Sequence, residues 1–134
     1  MLAEYLFVYG TLKQTANQSR YAFLEPYTEF FAHASASGKL FLYEDAEFIY
    51  PGFVFDEMAD SSVKGELYVI TDAKPLFEKL DAYEGCTRED PLPHQYRREQ
   101  VTVKTNVAFE HQAWTYVYNW QTTGLKEVVN GNFV

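Results

Sequence analysis

Asp81 and Glu84 stand three residues apart in Leu80-Asp81-Ala82-Tyr83-Glu84-Gly85, a spacing that sets both carboxylates on one face of a helix. Glu84 falls in the last turn, where the negative end of the macrodipole favours cations. That dipole, the nearby Asp81 and burial among aromatics would each raise its pKa. A raised pKa suits a carboxyl group that moves protons near neutral pH. A solvated helix end with two surface acids has the same sequence, so the run alone leaves both readings open.

A second segment, Val8-Tyr9-Gly10-Thr11-Leu12-Lys13, runs from an apolar stretch straight into a glycine. Gly10 permits a sharp turn and a close approach of ligand to main chain. Successive N–H groups at Gly10, Thr11 and Leu12 can then form a nest for a carboxylate. An ordinary strand-ending turn is the alternative. Elsewhere His33, His94 and His111 are scattered without metal-ligand spacing. Cys86 follows two acids and lacks a local cation, which disfavours its thiolate. Ser35, Ser37, Ser61 and Ser62 lie in no nucleophile elbow. Ala34-Ser35-Ala36-Ser37-Gly38 lacks the Gly-Lys-Thr ending of a phosphate loop. Tyr96-Arg97-Arg98 is the densest basic spot, either a solvated strand start or a source of charge for a pocket carboxylate.

The elements that must position these residues are mostly strands. Tyr5 to Tyr9 is continuously apolar, the pattern of a strand buried on both faces. Lys39 to Tyr43 is expected to follow a Ser/Gly turn, and Val63 to Ile70 comes after a polar stretch. Arg98 to Lys104 and Gln112 to Tyr118 alternate polar and apolar residues. A weaker sixth strand, Phe53 to Phe55, follows the turn signal Pro51-Gly52. A short helix is expected over Asn17 to Leu24. A longer one begins at Asp72 as N-cap, sets Leu76, Phe77, Leu80 and Tyr83 on one apolar face, and stops at Gly85. Many strands and few helices predict an α+β fold, a small mixed β-barrel or strongly curled sheet of about six strands with a few flanking helices.

A length of 134 residues fits one domain, 1–134. Aromatics at 18% exclude a disordered chain. Nineteen acids against eleven bases, a net charge of −8, disfavour nucleic acid and anionic membrane as partners. One cysteine excludes an intramolecular disulfide and any multi-cysteine zinc site. The N-terminus shows neither a signal peptide nor a membrane span, so a soluble, cytoplasmic protein is expected, monomeric or a weak homodimer.

Taken in order, Val8 to Lys13, Tyr50-Pro51-Gly52, Gly65-Glu66-Leu67-Tyr68, Leu80 to Gly85, Tyr96-Arg97-Arg98, Tyr116-Val117-Tyr118 and Gly131-Asn132-Phe133 resemble the γ-glutamylcyclotransferase-like family. That family includes γ-glutamylamine cyclotransferases and small bacterial relatives. The resemblance implies a mixed barrel with helices outside and a pocket at one end. It implies that Tyr9-Gly10-Thr11-Leu12 holds a substrate α-carboxylate through main-chain N–H groups and that Glu84 is the catalytic acid/base. Tyr96 is counted with the substrate-binding residues.

The implied chemistry needs no enzyme nucleophile and no cofactor. In a γ-glutamyl compound the α-amine attacks the γ-carbonyl and closes the lactam of 5-oxoproline. The acidic, proline-bearing stretch Cys86 to Gln95 is expected near the pocket, where it would repel an acidic leaving group. γ-Glutamyl amines and neutral γ-glutamyl amino acids are therefore expected to be better substrates than glutathione. The alternatives are a non-catalytic binding module for a carboxylated metabolite in the same pocket, and an interaction domain presenting exposed Tyr and Phe. Glu84 favours the enzyme, because a binding site has little use for a proton-shuttling acid.

Overall fold

The structure, a computed structural model, describes residues 3–10, 22, 24–106 and 109–133. Seven strands order around one another: β1 (Tyr5–Val8), β2 (Thr28–Glu44), β3 (Ile49–Phe55), β4 (Ser62–Ile70), β5 (Tyr96–Thr105), β6 (Glu110–Tyr118) and β7 (Lys126–Glu127). A helix, α1 (Ala73–Glu84), follows β4, and a 3-10 turn, Glu25–Tyr27, leads into β2. The helix expected over Asn17 to Leu24 falls almost wholly outside the described residues. Among the described residues no helix is long and apolar enough to cross a membrane.

Five strands close a barrel. β1 runs antiparallel to β4 and parallel to β6. β4 pairs with β2, β2 with β5, and β5 with β6, all antiparallel, which returns the sheet to β1. β1 therefore has neighbours on both edges and packing on both faces. Phe7 and Tyr9 join the cluster with Leu67, Val101, Val103 and Ala113, while Leu6 and Val8 join the one with Leu76 and Leu80 of α1. This two-sided burial is why Tyr5 to Tyr9 is apolar without alternation.

Two expected turns are strand. The Ser/Gly stretch before Lys39 lies inside β2, where Ala34 and Ala36 are buried against the barrel core and Ser35 and Ser37 alternate with them. Small, polar-alternating residues read as a loop, yet here they let β2 lie between β4 and β5. Beyond Gly38 the same strand leaves the barrel and pairs with β3 and β7. Pro51-Gly52 likewise sits within β3, Pro51 opposite Leu42 and Gly52 opposite Phe41. β3 ends the sheet's strand order, a location that tolerates a residue without an N–H.

Gly65 of β4 lies hard against β1. A Cβ there would stand 2.3 Å from the Val8 carbonyl oxygen and 2.8 Å from the Phe7 ring. Backbone oxygen in a ladder cannot retreat without parting β1 from β4. Gly65→Ala is therefore expected to cost about 2–3 kcal/mol, read as a lowered urea midpoint. An unchanged midpoint would mean that β1 is not held as closely as the structure places it.

Candidate active site

A cavity of about 410 Å³ opens where the end of β1, the start of β3 and the C-terminal end of α1 meet. That size is ordinary for a small-molecule site. Its wall includes Tyr9, Gly10, Tyr50, Pro51, Glu84, Gln95, Tyr96 and Tyr116. Phe48, Ile49 and Tyr83 also line it and are exposed, so the cavity reaches solvent.

Helix α1 brings Glu84 to this place. Leu76 and Leu80 are fully buried against Leu6, Val8 and Tyr116, each contributing roughly 2 kcal/mol of hydrophobic stabilisation. Asp72 occupies the N-cap position, though its side chain makes no capping hydrogen bond. At the other end Gly85 takes the left-handed conformation (φ 70°), and the Cys86 N–H donates to the Asp81 carbonyl at 3.0 Å. That closure ends the helix at the residue after Glu84.

Glu84 is half-buried in the cavity wall. Burial pushes its pKa up to about 8. The spacing argument expected Asp81 and the macrodipole to contribute, but the Asp81 carboxylate is engaged elsewhere. It accepts the Tyr116 hydroxyl at 2.6 Å and lies 3.7 Å from the Arg98 guanidinium. Arg98 is stacked over the Phe77 ring, 4.1 Å from its centre. Arg98 thus anchors α1 to β5 and β6, and Arg97 pairs with Glu99 at 3.0 Å. Neither arginine lines the cavity. Burial, Asp81 and Glu84 push the Cys86 thiol up to about 11, as expected for an inert cysteine.

Tyr9, Gly10 and Tyr96 share the cavity with Glu84, whereas Thr11 and Leu12 lie outside the described residues. The Tyr9 hydroxyl donates to the Tyr116 carbonyl and accepts from the Phe53 N–H. The Tyr96 hydroxyl donates to the Pro51 carbonyl at 2.7 Å. Burial raises the pKa of both phenols, Glu84 adding to the effect. They stay neutral, with their hydrogens already committed. Gly10 has a further reason to be glycine, since a Cβ would stand 2.6 Å from Pro51 Cγ.

Of the stretch Cys86 to Gln95, Gln95 alone is in the cavity wall, and the acids are not. Asp90 accepts from the Thr87 N–H and hydroxyl at 2.9 and 2.7 Å. Beside Gln95 the wall holds Phe48 and Ile49. Gln95, Phe48 and Ile49 carry no signal of chemistry in the sequence, since neither a Gln nor an apolar strand start marks a site. Among the described residues no three His, Cys, Asp or Glu side chains gather to hold a metal ion.

The family model described as gamma-glutamyl cyclotransferase, AIG2-like, matches residues 6–134. No curated protein matches the chain. Among solved structures, YkqA of Bacillus subtilis superposes with a TM-score of 0.68 at 23% identity, over 98% of this chain and 40% of that one. The chain thus spans well under half the length of that relative. An AIG2-like protein of Mus musculus gives 0.68 at 21% identity, over 93% of this chain and 85% of that one. A structure described as gamma-glutamyl cyclotransferase gives 0.66 at 16% identity, over 94% and 70% respectively. At these identities the likeness is one of fold.

The buried carboxyl has a consequence for stability. Between its ordinary value of 4.5 and about 8 the folded protein keeps the Glu84 proton while the unfolded chain releases it. Stability from this group is then lost as pH rises through that window, by on the order of 3–5 kcal/mol in full. Glu84→Gln removes the titration. Its advantage in melting temperature over the wild type is expected to widen from pH 5 to pH 8. A gap that stays constant with pH would show that Glu84 is not held in a desolvated site.

Proposed function

The chain belongs to the gamma-glutamyl cyclotransferase, AIG2-like family, and from that premise we propose that it cyclises the γ-glutamyl group of a γ-glutamyl amine or amino acid to 5-oxoproline, releasing the amine. The observation that carries this reading is Glu84, an acid with pKa near 8 in the wall of a small cavity that it shares with Gly10.

The substrate enters with its α-carboxylate toward the Gly10–Leu12 main-chain N–H groups, which act as donors to the anion. Its α-ammonium gives a proton to the Glu84 carboxylate. The free amine attacks the γ-carbonyl carbon, forming the ring C–N bond and leaving charge on the oxygen. Glu84 passes a proton to the leaving nitrogen and takes one from the ring nitrogen. The exocyclic C–N bond then breaks, and the carbonyl reforms. The attacking nitrogen loses two protons, one reaching the leaving nitrogen before the bond breaks and one resting on Glu84 until it passes to the released amine, so the reaction balances without water. Holding amine and carbonyl together supplies the proximity term, and the shuttle adds about 10²–10⁴-fold.

The developing oxyanion wants a donor. Tyr9 and Tyr96 have spent their hydrogens on carbonyls. Gln95 lies beside the Tyr118 hydroxyl, yet its buried Nε2 has no partner in hydrogen-bonding geometry among the described residues. Gln95 fits the oxyanion role.

The test is 5-oxoproline release from γ-glutamyl amines, γ-glutamyl amino acids and glutathione. Wild type is expected to release it, with kcat/KM rising toward a plateau above about pH 8 as Glu84 gains its base form. Glu84→Gln is expected to lose about 10²–10⁴-fold while remaining folded. Gln95→Ala is expected to lower kcat by roughly 10²-fold with little change in KM. Release that survives Glu84→Gln would remove Glu84 from the mechanism, and no release from any compound would overturn the reading.

A further inference from the structure

The mouth of the cavity is hydrocarbon. Phe48 and Ile49, 53% and 50% exposed, stand at the β2–β3 connection, and Tyr83, 40% exposed, faces them from α1's last turn into the same cavity. Tyr50 continues the wall, its ring centre 6.0 Å from that of Phe48 and 6.2 Å from that of Tyr43. Tyr43 in turn meets Trp120 at 6.0 Å. Large apolar side chains left half in water beside a cavity mark a surface shaped for an apolar ligand group.

Charge is withheld from this wall. Of the residues lining the cavity, Glu84 is the one carboxylic acid, and no Lys, Arg or His joins it among the described residues. The nearby acid Asp45 turns its carboxylate to its own turn, accepting the Glu47 and Phe48 N–H groups at 2.8 Å each. Those bonds hold its pKa below the usual carboxylate range. An anionic leaving group would find no cationic partner in the lining and would also meet Asp45, whose carboxylate interacts with the Tyr50 hydroxyl.

We infer that Phe48, Ile49, Tyr50 and Tyr83 form the leaving-group subsite and select γ-glutamyl derivatives of uncharged, apolar amines, alkyl or aromatic. This inference rests on the cyclotransferase reading of the cavity. The γ-glutamyl head occupies the end near Gly10 and Glu84, and the released amine's hydrocarbon lies across the mouth. Selection by area predicts a graded response, because each methylene removed from water contributes a similar increment.

The experiment compares γ-glutamyl methylamide, propylamide and pentylamide with the γ-glutamyl amide of 6-aminohexanoic acid, which matches the pentylamide in length and ends in a carboxylate. The readouts are kcat/KM for 5-oxoproline release by wild type and calorimetric affinity for Glu84→Gln. From methylamide to pentylamide kcat/KM is expected to rise at least about 10-fold, at roughly 2- to 4-fold per methylene, with the carboxylate-ended derivative falling below the pentylamide. Phe48→Ala and Ile49→Ala, both at exposed positions, are expected to flatten that slope. A flat series, or a carboxylate-ended derivative as good as the pentylamide, overturns the subsite while leaving the cyclisation intact. Affinity that grows with chain length without any 5-oxoproline release would keep the apolar subsite and overturn the reaction.

Discussion

A carboxyl group held in a hydrocarbon-walled cavity is the constraint around which this structure is arranged. Glu84 gains a pKa near 8 by being desolvated, and desolvation disfavours its charged form, so the surrounding structure must hold the helix end in place against that cost. Leu76 and Leu80 supply hydrophobic anchorage. The Tyr116 hydroxyl and the Arg98 guanidinium hold Asp81, one turn before Glu84. Asp81 and Glu84 thus divide between them what their spacing left joined. One carboxylate is engaged and fixes the helix, and the other is desolvated and faces the cavity.

β1 decides where that cavity lies. It is the strand at which a parallel neighbour and an antiparallel neighbour meet, and successive side chains alternate between the barrel interior and the face that receives α1. Tyr9, at its end, reaches inward to the Tyr116 carbonyl and the Phe53 N–H, linking β6 and β3. The next residue, Gly10, is kept bare by Pro51. Tyr96 completes the link by donating to the Pro51 carbonyl. The two phenols tie the end of β1 to β3 and β6, and β5 to β3, and give the cavity a rigid floor.

What could be read from the sequence follows from how local each signal is. β1 and α1 were legible because continuous apolarity, an apolar face at helical spacing and a terminal glycine are properties of short windows. Glu84 was legible by its place in the last turn, although the cause of its raised pKa is burial rather than Asp81. The length of β2 was not legible, since Thr28 to Gly38 becomes strand through pairing with β4 and β5, and Ala-Ser alternation carries little strand propensity of its own. Pro51-Gly52 misled for the same reason: a turn signature becomes an edge strand when its partner supplies the geometry. Gln95 and Phe48 carry no chemical signature at all, and their interest arises only where the fold sets them beside Glu84.

The hydroxyl assignments bear on how such a site can accelerate a reaction. A donor already spent on a carbonyl cannot follow charge as it develops, so Tyr9 and Tyr96 contribute shape and a low-dielectric wall rather than transition-state hydrogen bonds. In the proposed reaction the electrostatic work would fall to main-chain N–H groups after β1 and to the Gln95 amide, whose buried nitrogen lies beside the Tyr118 hydroxyl but has no partner in hydrogen-bonding geometry among the described residues. An unpaired buried donor costs stability in the resting protein. That cost is recovered when an oxyanion forms beside it, which makes the interaction stronger in the transition state than in the ground state. Glu84 would follow the same logic in that reaction, being disfavoured in its charged form by burial and relieved by an approaching substrate ammonium. In both cases the stability forgone in the empty cavity is what the reacting γ-glutamyl group would restore.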